Sequence, residues 1–367
     1  MSLAIEMEFF ELPVLPDTEA DLASMSVYRA NRFPADAGPA PWLDRPDAAE
    51  LVERRLREGS ITEDEAQLCR EWMRDGYVIC KGFYDDALLD GTWAAYEQAI
   101  ADGEVKPPPE TMFEGDTLPG RVSNPHFAVP AVDRMLFEPR MGRLVSLLMG
   151  AKAAPFQTII GHKSSQQLAH SDSIHMTTYP QGYLAANWIA FEDIHPDSGP
   201  LKYYPGSHRL PYLLSDDLEI PVEMGYGGYN RIYEPAIQKL IAEHALQPKI
   251  FLPKKGDVLL WHANLLHGGS PVNGAVHPSR KALVCHFFAQ GCTCYHDLTG
   301  TLSHTQYGLD LYANASTASV SAAESHPRVG KTGNLLQHAH AVWRAHGTGV
   351  LASKTLKYLK RRLGPHQ

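Results

Sequence analysis

The feature that most constrains this chain is a set of metal-binding side chains split across a long stretch of sequence. His170-Ser171-Asp172 stands near the middle; His267, in Leu266-His267-Gly268-Gly269, follows almost a hundred residues later, and Arg280 comes shortly after it. Two histidines and one carboxylate on one face of an ion form the ligand set of non-haem ferrous centres, with positions left open for exogenous ligands. On a strand, residues i and i+2 point to the same side, about 6.5 Å apart. His170 and Asp172 are therefore expected to lean onto one metal from one strand, with the third ligand supplied by another.

The triplet alone says little, because a chain this rich in histidine holds a second one, His195-Pro196-Asp197. Its flanks are turn-like, and the central proline spoils a strand ladder, so His195 and Asp197 read as loop residues. The distal half is more specific. Lys255-Gly256-Asp257 reads as a turn leading into the apolar strand Val258-Leu259-Leu260-Trp261-His262, and His267 follows with glycines behind it. Glycines there allow close backbone approach. His262 is the rival ligand, otherwise read as a hydrogen-bonded histidine at a strand end. Arg280 opens a run to Ala289 that reads as a core strand, placing Arg280, Ala282, Val284 and His286 on one face. A buried arginine on that face needs an anion, and its planar fork suits a carboxylate. Three protein ligands leave room for a bidentate 2-oxo acid and O2, which points to oxidative attack on a C–H bond.

From about residue 157 to 297 the chain resembles the phytanoyl-CoA dioxygenase (PhyH) family of Fe(II)/2-oxoglutarate-dependent oxygenases. The matching pieces, in order, are His170-Ser171-Asp172, Asn187-Trp188-Ile189-Ala190-Phe191-Glu192-Asp193, Ser198-Gly199-Pro200-Leu201, Pro205-Gly206-Ser207-His208-Arg209, His267-Gly268-Gly269-Ser270 and Ser279-Arg280-Lys281. Gly76-Tyr77-Val78-Ile79-Cys80-Lys81-Gly82-Phe83 resembles the family's first strand. The resemblance implies a mainly-β chain with flanking helices, built on a double-stranded β-helix (jelly-roll or cupin-like) barrel. It implies Fe(II) on His170, Asp172 and His267, 2-oxoglutarate as co-substrate with its tail carboxylate on Arg280, and O2 as oxidant. Trp188 matches a position beside the co-substrate. Gln157 and Lys163 are candidates for a further polar or basic contact to it. Gly269 stands where relatives often have serine. Halogenating relatives lack the metal carboxylate; this chain keeps Asp172, so hydroxylation is the expected reaction. Desaturation or cyclisation at the same metal, or a non-catalytic cupin-like binding protein, are the alternatives.

The formal net charge of −9 over 367 residues argues against generic nucleic-acid binding. The five cysteines, Cys69, Cys80, Cys285, Cys292 and Cys294, lack CxxC spacing and read as reduced thiols. The acidic N-terminus does not resemble a signal peptide and no apolar run approaches a membrane span, so a cytoplasmic location is expected. The partner expected is a small-molecule substrate, a polar metabolite in preference to a CoA thioester, since no basic cluster for CoA phosphates stands out.

Three regions are expected: an arm with a short helix over 1–60, an oxygenase domain over 61–298 with an insertion near 210–248, and a linker with a helical extension over 299–367. Helices are expected at 47–58, from a Thr62/Glu65 capping box to about Asp75, over 85–102 and over 131–150, with a strand at 77–81. The long loop 104–130 holds Arg121 and His126, and the insertion holds Tyr229 in Gly225-Tyr226-Gly227-Gly228-Tyr229-Asn230; these three are candidate substrate contacts. The basic helix near 354–363 is a candidate for weak contact with a membrane surface or an anionic partner.

Overall fold

The computed structural model describes residues 27–33, 40–107, 121–273 and 279–302. Most of the N-terminal arm, half of the long loop and the whole C-terminal extension with its basic helix lie outside the described residues. Among those described no helix is long and apolar enough to cross a membrane.

The first α-helices among the described residues are α1 (Ala48–Arg57) and α2 (Glu63–Asp75). The capping box at α2 is reciprocal: Glu65 N–H donates to Thr62 Oγ1 at 3.2 Å and Thr62 N–H to the Glu65 carboxylate at 2.9 Å. Both satisfy amides that a helix start leaves without partners. Gly76, at φ +77°, ends α2 in the left-handed conformation glycine tolerates, and the chain passes directly into β1 (Tyr77–Cys80). Asp85 caps α3 (Asp86–Ala101) through Leu88 N–H at 2.8 Å. The single helix expected over 131–150 is two, α4 (Pro130–Leu136) and α5 (Pro139–Met149). Proline at 139 forces Glu138 to an extended ψ of 119°, which breaks the helix there.

The described residues form twelve strands. β1, β2 (Arg121–Ser123), β3 (Ala153–Gly161), β5 (Leu184–Ala190), β8 (Val258–His262) and β10 (Ala282–Ala289) form a six-stranded antiparallel sheet in the order β1-β8-β5-β10-β3-β2. Two three-stranded sheets accompany it: β7-β6-β9, from Lys249–Ile250, Leu201–Tyr203 and His267–Gly269, and β12-β11-β4, from Thr301–Leu302, Thr293–His296 and Thr177–Tyr179. The described residues thus combine antiparallel sheets with helices and contain no closed barrel. Helix contributes more of them than strand, so the mainly-β expectation is too narrow: a full helical layer is needed to cover one face of the large sheet.

β10 shows how the alternation works. Leu283, Cys285 and Phe287 join the large core with Trp72, Leu144, Leu147 and Phe156 beneath the helices. Ala282, Val284 and His286 turn the other way and line a cavity. A fully buried leucine or phenylalanine contributes roughly 1.5–3 kcal/mol, so the helical side fixes the register of the strand and hence which side chains the opposite face presents.

Candidate metal centre

His170 and Asp172 do not sit on a regular strand as expected. His170 makes an isolated antiparallel bridge to His267 on β9, each backbone N–H donating to the other's carbonyl at 2.9 Å. Asp172 then starts a 3-10 turn, Asp172–Ile174, with its amide on the Ala263 carbonyl at 3.1 Å. Ser171 between them is held from both sides: its N–H donates to Tyr233 Oη at 3.0 Å and its Oγ to the Ala263 carbonyl at 3.0 Å. The bridge brings together residues remote in sequence, and the turn then aims Asp172 at the same point. His170, Asp172 and His267 are all buried, and one ligand atom from each lies within 4.8 Å of the others.

The donor set fits a divalent ion of the ferrous type. His170 Nδ1 is 2.9 Å from the Leu168 carbonyl, and His267 Nδ1 is 2.9 Å from the Leu265 carbonyl. Each carbonyl calls for a proton on Nδ1, which leaves Nε2 as the lone-pair donor on both rings. Burial pushes the acidity of both imidazoles to about 4, so both stay neutral and able to ligate at ordinary pH. Asp172 Oδ1 lies 3.5 Å from His267 Nε2, while Oδ2 accepts the Trp261 indole N–H at 2.8 Å. One carboxylate oxygen is thus anchored and the other faces the histidines.

These residues floor a cavity of about 720 Å³ between the large sheet, β6 and β9, and the insertion. Arg280 lines it, 7 % exposed, two residues before β10 begins. Its Nη1 donates to the Gly199 carbonyl at 3.0 Å and its Nη2 to the Lys163 carbonyl at 3.5 Å, while Nε is buried with no partner. The guanidinium lies 5.8 Å from the Trp188 ring. Burial, and then the charge of Arg121, pull its pKa down to about 9; an anion placed there would relieve both effects. Gln157 lines the cavity from β3, opposite His286 in register. Lys163 is at the exposed rim, and what it offers Arg280 is its backbone carbonyl.

Of the candidate substrate contacts, Arg121 and Tyr229 line the cavity and His126 does not. Arg121 donates to Gln167 Oε1 at 2.9 Å. Tyr229 is 5 % exposed, with its ring 4.9 Å from that of His175. His126 is buried with Nδ1 2.7 Å from Thr158 Oγ1: the pairing of β2 with β3 puts the following turn against the outside of β3 rather than at the cavity mouth. His262 is bound up elsewhere, its Nε2 3.2 Å from Asp44 Oδ2 and its Nδ1 accepting from Asn264 N–H. His195 and Asp197 are exposed. The glycines after His267 serve backbone contact: a Cβ at Gly268 would lie 2.7 Å from the Gln167 carbonyl oxygen and 2.9 Å from that of Leu168.

Sequence reasoning gave no role to Trp261, His286, His175, His296 or Glu234, all of which line the cavity. His286 Nε2 is 3.9 Å from Asp172 Oδ2, and its place on the Arg280 face was the one signal that could have found it. The others carry no motif.

A family model described as Phytanoyl-CoA dioxygenase (PhyH) matches residues 72–282. No curated protein sequence matches the chain. Among solved structures, the epimerase SnoN, in complex with Fe3+, alpha ketoglutarate and nogalamycin RO, is 19% identical, with 65% of this chain and 87% of that one covered and a TM-score of 0.50. EctD from S. alaskensis in its apoform is 17% identical over 73% of this chain and 89% of its own, with a TM-score of 0.52. The same enzyme with bound Fe is 19% identical over the same shares, with a TM-score of 0.52. At these identities the likeness is one of fold.

Proposed function

Because this chain belongs to the phytanoyl-CoA dioxygenase (PhyH) family of non-haem iron, 2-oxoglutarate-dependent oxygenases, we propose that it hydroxylates a C–H bond of a small-molecule metabolite. The carrying observation is the buried His170, Asp172 and His267 set at the floor of a cavity that Arg280 also lines. The antiparallel sheets and the fold likeness support a double-stranded β-helix as the underlying architecture.

In this reading His170 Nε2, Asp172 Oδ1 and His267 Nε2 hold the iron. When bound, ferrous iron with 2-oxoglutarate and O2 supplies the oxidising power that breaks the C–H bond, with succinate and CO2 as co-products. Arg280 takes the far carboxylate of 2-oxoglutarate; its fork is already oriented by the Gly199 and Lys163 carbonyls, so little side-chain freedom is lost on binding. Trp188 supports the guanidinium as a flat wall, and Gln157 offers an amide to the cavity further along the same sheet, beside His286. Arg121 and Tyr229 face the remaining volume as substrate contacts. Trp261 keeps Asp172 from rotating.

The cavity volume is in the range of sites for one small ligand beside a co-substrate. The test is succinate release from 2-oxoglutarate by the iron-loaded protein during a substrate screen. His267→Ala is expected to abolish it, and full turnover in that variant would sink the proposal. Product mass separates hydroxylation, which adds an oxygen, from desaturation or cyclisation, which removes two hydrogens.

A further inference from the structure

The wall of the cavity contributed by the insertion differs in chemistry from the wall that carries Arg280. A helical run from Tyr226 to Glu243 contains a π-helical turn, Tyr229–Tyr233, and Tyr226, Tyr229 and Glu234, before, in and just after that turn, line the cavity. His175 stacks near both tyrosines, its ring 5.9 Å from Tyr226 and 4.9 Å from Tyr229, and the Tyr226 hydroxyl is 3.3 Å from His296 Nε2. None of these side chains is a lysine or an arginine. The result is a wall of π-faces without a permanent positive charge.

Two groups on that wall lack partners. Tyr229 Oη is buried and makes no hydrogen bond. Glu234, half-buried, has no hydrogen-bond or ion-pair partner among the described residues, and it lies within Coulombic reach of Tyr229. Apart from Asp172, it is the only acidic side chain among the described residues that line the cavity. The cations Lys106, Arg121, Lys163 and Arg280 come from other elements. A lone carboxylate beside an orphan phenol oxygen and exposed ring faces is what a desolvated cation requires.

We propose that this wall is the substrate-recognition subsite, and that the substrate presents a protonated amine to it. The ammonium N–H groups donate to the Glu234 carboxylate and to Tyr229 Oη, and the adjoining carbon skeleton lies against Tyr226 and His175. This rests on the oxygenase reading above, since it assumes that the triad side of the cavity holds iron and the co-substrate.

The experiment uses the full-length protein loaded anaerobically with Fe(II) and 2-oxoglutarate, and titrates it calorimetrically with benzylamine and with the neutral analogue benzyl alcohol. The amine is expected to bind at least about tenfold more tightly, which corresponds to about 1.4 kcal/mol. Glu234→Gln and Tyr229→Phe are each expected to remove most of that preference. Equal affinity for the two probes would overturn the proposal. So would a preference that survives in both variants, because the amine would then be ligating the metal. The visible band of the chelated keto acid is read in the same samples: its presence without amine preference condemns the subsite alone, and its absence condemns the oxygenase reading.

Discussion

Trp261 Nε1–H donates to Asp172 Oδ2 at 2.8 Å, from a strand of the large sheet to the first residue of the turn that carries the carboxylate. The bond leaves Oδ1 as the oxygen facing His267 and ties the orientation of the site to the rigid sheet. Contacts of this kind to a ligating group typically govern metal affinity by tenfold to a hundredfold. Trp261→Phe keeps the ring but removes the donor. It is expected to weaken Fe(II) binding by about that factor, with the unfolding midpoint changed little. Unchanged affinity in a competition titration against a chelator would count against the role.

Arg280 is buried, its fork fixed by two carbonyls, and its Nε is without a partner. Lysine at this position keeps the charge but loses the planar two-point contact. Arg280→Lys is expected to raise the KM for 2-oxoglutarate by about ten- to a hundredfold, with kcat affected less. A KM within twofold of the parent would contradict the assignment.

Gly268 lets β9 approach the segment before His170 so closely that a methyl group would press on two backbone oxygens. Neither can swing aside as a side chain would. Gly268→Ala is therefore expected to cost about 1–3 kcal/mol of stability and to spread the His170–His267 bridge, so that iron affinity falls together with the thermal midpoint. Loss of neither would mean that the two backbones have room to spare.

Acid should destabilise the metal-free protein over a defined window. Burial pushes His208 to about 3 and His296 to about 4, and drives His175 well below its ordinary range. The unfolded chain titrates these groups near 6.5, so between about 6.5 and 4 it binds more protons than the folded one, and stability falls as pH falls. A single group held near 4 forfeits up to about 3 kcal/mol once the pH is below that value. Urea midpoints should be level above pH 7 and drop steeply from pH 6 to 4.5; a level profile throughout would refute the burial argument.

The residues with a chemical requirement on their spacing were legible in the sequence. His170, Asp172 and His267 stand out because few folds bring such a set together, and Arg280 because period-two alternation puts it on the face of His286. The expected geometry of the first pair was wrong in detail: a backbone bridge followed by a 3-10 turn does what one strand was expected to do. Trp261 was hidden because an indole in an apolar strand reads as core. His175, His296 and Glu234 reach the cavity only through tertiary placement, which no local pattern encodes. His126 misled for the same reason, since only the β2–β3 register decides on which side of the sheet it falls. Pro139 was a local signal for the break between α4 and α5, and its effect on Glu138 could have been anticipated.

The most direct test of the central claim is an anaerobic titration of the metal-free protein with Fe(II) and 2-oxoglutarate, following the weak visible charge-transfer band of a keto acid chelated to ferrous iron. The band should appear only with both components present, saturate at one iron per chain, and be lost in His170→Ala. A protein that takes up iron without developing the band, or a His170→Ala variant that retains it, would contradict the account.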